Sequence, residues 1–263
     1  MLRRGKGIEL KTAGEIQAMR AAGLVVARAL GEVGKRAEAG VSTGELDAVA
    51  DQVIRDAGAV PSFKGYHGFP GSICTSVNEK VVHGIPSHQE ELAEGDLVSV
   101  DCGAILDGWH GDAAMTFAVG EVSSADQALS AATRNAMLAG VEQVRAGNRL
   151  TDISHAVESS ARASTSADGV DYGVIAEYGG HGIGTRMHME PFLPNVGKPG
   201  KGPKLKVGMA LAVEPMLTGG TISTEELGDD WTVVTLDGSR AAHWEHTVAI
   251  TEEGPWVLTA PDA

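Results

Sequence analysis

Residues Leu97–Phe117 read LVSVDCGAILDGWHGDAAMTF, two strand-like runs separated by Asp107-Gly108. An Asp-Gly pair between such runs is a strong short-range signal for a tight hairpin, because the favoured two-residue turn needs positive φ at both positions. With Asp107 and Gly108 as the loop, Leu106 faces Trp109 and Gly103 faces Asp112, and Asp101 lies one diagonal step away on the same face. Two carboxylates then share one patch. Like charges that close, in a partly buried site, need a proton or a cation between them. The same pair also fits a solvated face or turn caps, so the rest of the chain has to decide.

At 263 residues, 43% hydrophobic and 21% charged, the composition is that of an ordinary globular protein able to bury a real core. The formal charge of −14 argues against a general nucleic-acid or anionic-membrane surface and leaves room for bound cations. Cys74 and Cys102 are the only cysteines, so no disulfide framework is expected and a reducing cytosol is the natural setting. Residues 1–12, MLRRGKGIELKT, are basic but lack the apolar run of a signal peptide, and no stretch approaches the roughly 20 apolar residues that span a bilayer. The expectation is a cytoplasmic chain forming one catalytic domain over 1–263, with about 1–12 as an extension that carries no targeting signal.

Thr12-Ala13-Gly14-Glu15 reads as a capping box, followed by Ile16, Met19, Gly23, Val26, Leu30 and Val33 at helical spacing up to Gly34. Ser42-Thr43-Gly44-Glu45 opens a second helix ending near Gly58, a third runs from near Ser124 to Gly147, and a fourth starts near Thr151. Ala39-Gly40 before the second and Ala146-Gly147 before the fourth are a faint hint of two related halves. Strands are expected at Ser72–Ser76, Lys80–His83, Val174–Glu177, Met209–Val213, Trp231–Thr235 and Trp244–Ile250. The resulting class is α+β with mostly antiparallel strands. Lys198–Lys206, KPGKGPKLK, and Glu225–Asp230, EELGDD, read as solvated connections.

Further polar residues stand in unexpected settings. His83 ends the apolar run before Gly84-Ile85-Pro86, and His181 sits among glycines in Gly179-Gly180-His181-Gly182, seven residues before His188. Glycine on both sides lets backbone approach a ligand closely, although such a loop without a strand-to-helix frame is a weak phosphate signal. Glu214 closes the apolar run Met209–Val213, and Glu245 lies in Trp244-Glu245-His246-Thr247-Val248. A carboxylate in so apolar a strand needs a salt bridge or a metal. Asp101, Asp112, His181, Glu214 and Glu245 make four carboxylates and one imidazole, a donor set suited to Mn²⁺, Fe²⁺, Co²⁺ or Zn²⁺. Four negative charges match two divalent cations.

VVHGIP, VSVDCGAILDGWHGDAAMTF, GGHGIGTRMHMEP, LAVEPM and WEHTVAIT, in this order, resemble the methionine aminopeptidases of the pita-bread family, from Ile8 to Leu258. The resemblance implies two pseudo-symmetric α+β halves with a central curved antiparallel sheet covered by helices, and a two-metal cleft between them. It makes Asp101, Asp112, His181, Glu214 and Glu245 the metal ligands, with Asp112 and Glu245 shared between the ions. It makes Glu214 the group that moves a proton from attacking water to leaving amine. His83 and His188 match catalytic histidines that contact the substrate, His188 at the developing oxyanion and His83 at the scissile amide. The substrate's free α-amine is implied to complete one ion's coordination.

The side-chain pocket implied for methionine is walled by Tyr66, Phe69, Cys74, Met187 and Trp231, with His83 at its edge and His67 lining the cleft. A soft apolar lining suits a thioether. Phe69 and Met187 depart from the tyrosine and phenylalanine common in the family. The histidines at 88, 110, 155, 243 and 246 default to structural or solvated roles. Between His188 and Glu214 lie 25 residues, too few for the insertion of the type II enzymes, so the chain resembles type I. It has no zinc-finger extension or Pro-rich linker, so the transient ribosome contact implied by the family falls to the domain surface. Peptides and nascent chains with N-terminal Met and a small second residue are the expected substrates, with no membrane, no sequence-specific nucleic acid and a monomeric state. The rivals are an X-Pro aminopeptidase or prolidase of the same fold, and a non-catalytic pita-bread peptide-binding module.

Overall fold

The structure, a computed structural model, describes residues 7–169 and 172–261, leaving residues 1–6 of the N-terminal extension outside the description. Helices α1 (Ala13–Arg36) and α2 (Thr43–Asp56) lead into strands β1 (Val60–Pro61), β2 (Ile73–Val77), β3 (Lys80–Val82), β4 (Leu97–Leu106) and β5 (Trp109–Ala118). Helices α3 (Ser124–Glu142) and α4 (Leu150–Asp168) then precede β6 (Gly173–Val174), β7 (Gly179–Gly182), β8 (Met189–Pro194), β9 (Ala210–Val213) and β10 (Met216–Thr218). The remaining strands are β11 (Thr224–Glu226), β12 (Val233–Thr235), β13 (Ala241–His243), β14 (His246–Thr251) and β15 (Gly254–Val257). Each half thus opens with two helices and continues with antiparallel strands.

The helix starts follow from local chemistry. Thr12 and Ser42 form full capping boxes with Glu15 and Glu45, each satisfying donors that a helix N-terminus leaves orphaned. Helix α1 continues past Gly34 to Arg36, because Gly34 makes room for a neighbour instead of ending the helix. A Cβ there would lie 2.5 Å from the Phe117 ring. Gly23 and Gly111 likewise let α1 rest directly on β5, since a Cβ on Gly111 would meet the Gly23 backbone at 2.7 Å. Helix α3 stops at Glu142, short of Gly147, where Asn148 donates a side-chain hydrogen bond to the Gln143 carbonyl.

The two halves match down to single hydrogen bonds. Gly40 donates to the Leu92 carbonyl and Leu92 donates back to Val41, while Gly147 donates to Leu205 and Leu205 to Asn148. Both glycines have positive φ, 87° and 103°. The Lys198–Lys206 loop therefore holds the start of α4 as Ser87–Leu92 holds the start of α2. The other connection, Glu225–Asp230, is a loop only in part, because Glu225 and Glu226 belong to β11 and pair with β12. Strand β12 begins at Val233, as Asp229 accepts hydrogen bonds from the Trp231 and Thr232 amides. The strand expected at Val174–Glu177 is only Gly173–Val174.

The hairpin has the register set by its Asp-Gly turn: Leu106 pairs with Trp109, Gly103 with Asp112 and Asp101 with Ala114. Asp107 and Gly108 take φ of 49° and 81°. Strand β4 carries β5 on one edge and β1 and β2 along the other, while β15-β14-β9-β7-β8 and β13-β10-β6 form sheets in the second half. Helices α1 and α2 cover the hairpin over a core including Leu30, Val33, Leu46, Ile54 and Val100. Helices α3 and α4 cover the second half over Met137, Ile153, Val157, Leu211 and Val248.

The halves meet along β5, in a ladder partly built from side chains. The Thr247 hydroxyl donates to the Asp112 carbonyl at 2.7 Å and accepts from the Asp112 amide at 3.1 Å. Two residues on, the Glu245 amide donates to the Ala114 carbonyl at 2.9 Å. Two further on, the Thr116 hydroxyl donates to the His243 carbonyl at 2.8 Å and accepts from its amide at 3.0 Å. Threonine hydroxyls here stand in for backbone groups of a neighbouring strand. Thr247→Val removes both bonds at a fully buried site and should lower unfolding free energy in urea by about 1–3 kcal/mol. An unchanged transition midpoint would contradict this seam.

Candidate metal centre and substrate cleft

All five proposed ligands reach one cavity of about 690 Å³ at this seam. Asp101 and Asp112 arrive from the two strands of the hairpin. His181 arrives from β7, whose glycines serve strand packing: a Cβ on Gly180 would fall 2.1 Å from the Ala212 carbonyl oxygen, and one on Gly182 2.2 Å from that of Glu190. Gly180 and Gly182 bring backbone against backbone, while Gly179 lines the cavity. Glu214 and Glu245, expected within strands, sit in breaks between strands, Glu214 between β9 and β10 and Glu245 between β13 and β14. At each break the chain passes from one sheet to the next, and the carboxylate turns into the cavity. Asn195 pins the first break by donating to the Glu214 and Tyr178 carbonyls.

The donor atoms converge. His181 Nε2 lies 3.4 Å from Glu214 Oε1 and 4.0 Å from Asp112 Oδ2. Atoms of Asp112, His181 and Glu245 fall within 4.8 Å of one another. His181 Nδ1 lies 3.0 Å from the Gly182 carbonyl. In the tautomer that donates this bond, Nε2 keeps its lone pair for a metal. Asp101 Oδ1, Asp112 Oδ1 and Glu245 Oε1 are buried without a hydrogen-bond partner, which is costly unless a cation compensates. The residues therefore fit a divalent metal centre.

Electrostatics agree. Burial pushes Asp101 up to about 7, and burial followed by repulsion from neighbouring carboxylates holds Asp112, Glu214 and Glu245 well above the usual range. Burial lowers His181 to about 4, leaving a neutral ligand. A cation must then displace protons from the raised carboxyl groups, so metal affinity should increase as pH rises through the metal-free values. Titrating Mn²⁺ into chelator-treated protein by calorimetry between pH 6 and 8 should show net proton release and affinity rising about tenfold per pH unit for each proton expelled. Affinity independent of pH, with no proton release, would contradict this charge balance.

Around the carboxylates stand the histidines and the apolar walls. His83 follows β3 with φ of 61°, a conformation that a non-glycine residue holds only when its surroundings impose it. Its ring meets Tyr178 and Trp231 edge-on at 5.8 and 6.3 Å, and burial lowers it to about 4. His188 stacks edge-on against His181 at 4.4 Å, its Nδ1 lies 2.9 Å from the Tyr66 hydroxyl, and burial lowers its pKa. Both rings are neutral at neutral pH and can each present one N–H. Phe69, Cys74 and Met187 form one buried cluster with Phe63, flanked by Tyr66 and Trp231. Phe69 and Trp231 pack edge-on at 5.0 Å.

His67 is exposed and lies outside the cavity lining. Its ring packs edge-on against Tyr66 at 4.3 Å, and its charge adds to the effect of burial in lowering the His188 pKa. The sequence reading passed over Phe63, Tyr178 and Met216, which also line the cavity. Tyr178 directly precedes the Gly-Gly-His run, the one signal that pointed to it. His88, His110 and His246 have hydroxyl groups of Ser42, Ser62 and Thr259 within 3.5 Å, as structural histidines do.

Comparison with known proteins agrees with this architecture. Residues 17–252 match the profile of "Metallopeptidase family M24". The chain is 59% identical over 258 residues to methionine aminopeptidase 1 of Mycobacterium tuberculosis, covering 98% of this chain and 97% of that protein. It is 47% identical over 249 residues to methionine aminopeptidase 1 of Bacillus subtilis, covering 95% and 98%. The crystal structure of methionine aminopeptidase from Thermotoga maritima superposes with a TM-score of 0.92 at 41% identity, covering 97% of this chain and all of that one. The matches run through both halves of the fold and across the seam, and on them the chain belongs to metallopeptidase family M24, among the type I methionine aminopeptidases.

Proposed function

We propose that the five ligands Asp101, Asp112, His181, Glu214 and Glu245 hold two divalent ions, Mn²⁺, Fe²⁺, Co²⁺ or Zn²⁺, as this enzyme removes N-terminal methionine from peptides and nascent proteins whose second residue is small. The supporting observation is the placement of orphaned buried carboxylate oxygens beside a soft apolar pocket in one cavity. Divalent ions bound there supply Lewis-acid polarisation of a carbonyl and a water nucleophile at neutral pH. A free α-amine has a lone pair that would complete the coordination of one bound ion, which an internal amide nitrogen lacks, and this accounts for exopeptidase action.

The protein's own side chains do the rest. Phe69, Cys74, Met187, Tyr66 and Trp231 enclose the methionine side chain, whose thioether gains from aromatic contact. Glu214 takes a proton from the attacking water and returns it to the leaving amine. In the tautomer in which His188 Nδ1 accepts from the Tyr66 hydroxyl, His188 Nε2–H is free to stabilise the oxyanion, and His83 steadies the scissile amide. The chain works as one catalytic domain over 1–263, as a monomer in the cytoplasm, with transient ribosome contact through its surface. Among the described residues, no helix is long and apolar enough to cross a membrane.

Cleavage of Met-Gly-Met-Met but not Met-Leu-Met-Met, dependent on added divalent metal and abolished in Asp112→Asn, is the expected result. His188→Ala should lower kcat by about 10²–10³-fold, the usual effect of losing an oxyanion donor. Cleavage of X-Pro substrates instead would reassign the enzyme to the prolidase type. Inactivity with every metal would favour a peptide-binding module.

A further inference from the structure

His243 lies two residues before Glu245 and is 2% exposed, yet it is outside the cavity lining. Its Nε2 is buried without a hydrogen-bond partner and lies 3.8 Å from Glu214 Oε2. The opposite oxygen of the same carboxylate, Oε1, is the one 3.4 Å from His181 Nε2. Glu214 therefore stands between two imidazoles, one on the metal-ligand side and one behind it.

The position of His243 is firmly set. Its amide donates to both the Ser99 and Thr116 hydroxyls, its carbonyl accepts from Thr116, and on the other edge of β13 it pairs with Met216, two residues beyond Glu214. These bonds fix the backbone from which the ring projects, and the ring itself is enclosed at 2% exposure. The carboxylate can move, because the terminal torsion of a glutamate is broad. A small rotation would bring 3.8 Å into hydrogen-bond range.

We propose that His243 is a positioning residue for Glu214, its Nε2–H holding Oε2 so that Oε1 is aimed at the metal centre and at the reacting water. The inference rests on the assignment of Glu214 as ligand and proton carrier. A buried imidazole nitrogen left unpaired is unfavourable, and the bond to Glu214 removes that penalty while leaving the carboxylate one orientation. Partners behind a metal-binding group commonly set its direction and basicity.

The test compares wild type, His243→Phe, His243→Leu and His243→Gln on Met-Gly-Met-Met with Mn²⁺, alongside ¹⁵N-histidine spectra of wild-type protein loaded with diamagnetic Zn²⁺. Phe and Leu fill the space without a donor, and they should lower kcat about 10–100-fold while KM stays within about threefold, whereas Gln, which keeps an N–H, should recover kcat to within about threefold of wild type. The spectra should show His243 as the neutral Nε2–H tautomer. Wild-type kcat in the Phe or Leu variant, a Gln variant as impaired as Phe, or an Nδ1–H tautomer would each overturn the proposal. The tautomer is read from the wild-type protein and needs no variant to fold. Lack of cleavage by the wild type itself would count against the peptidase reading, while the tautomer still decides the role of His243.

Discussion

Four carboxyl groups buried in one cavity repel one another, and the rest of the molecule is arranged around that repulsion. Close like charges at low dielectric cannot all ionise without compensation. The metal-free protein meets the demand with protons, as the raised values of Asp101, Asp112, Glu214 and Glu245 indicate. Divalent cations meet it more completely, and in doing so give the site its chemistry. The same acidic cluster thus explains the metal requirement.

Holding such a cluster together demands a stiff frame. Asp101 and Asp112 stand on a ten-residue-per-strand hairpin packed under α1 at glycine-to-glycine contact. Glu214 and Glu245 stand at points where strands leave one sheet for another, and Asn195 and the β5 seam fix those points. Placing the site between two similar halves lets each contribute ligands from rigid strands. The histidines and apolar walls come mainly from the loops around the cleft, where side chains can be arranged for one substrate without disturbing the frame.

Much of this was legible from local patterns. Asp107-Gly108 determined a register that put both aspartates on one face, and the capping boxes at Thr12 and Ser42 marked two helix starts. These are short-range effects with strong residue preferences. Glycine was misread where its role was packing: Gly34 accommodates Phe117 inside a helix, and Gly180 and Gly182 admit neighbouring strands. An apolar run does not reveal where one sheet ends and another begins, so the strand pattern extends over Glu214 and Glu245 although both stand in breaks between strands. The Thr247–Asp112 pair spans 135 positions, and His243 meets Glu214, in the break between β9 and β10, only once the chain is folded. Contacts of that range leave no periodic trace in the chain.

On the function proposed here, Asp101, Asp112, His181, Glu214 and Glu245 together bind two divalent ions. Crystals grown with Mn²⁺ and measured on both sides of the manganese absorption edge test it directly. Two anomalous peaks enclosed by these five side chains are predicted. A single ion there, or ions held elsewhere with the five side chains empty, would contradict the account.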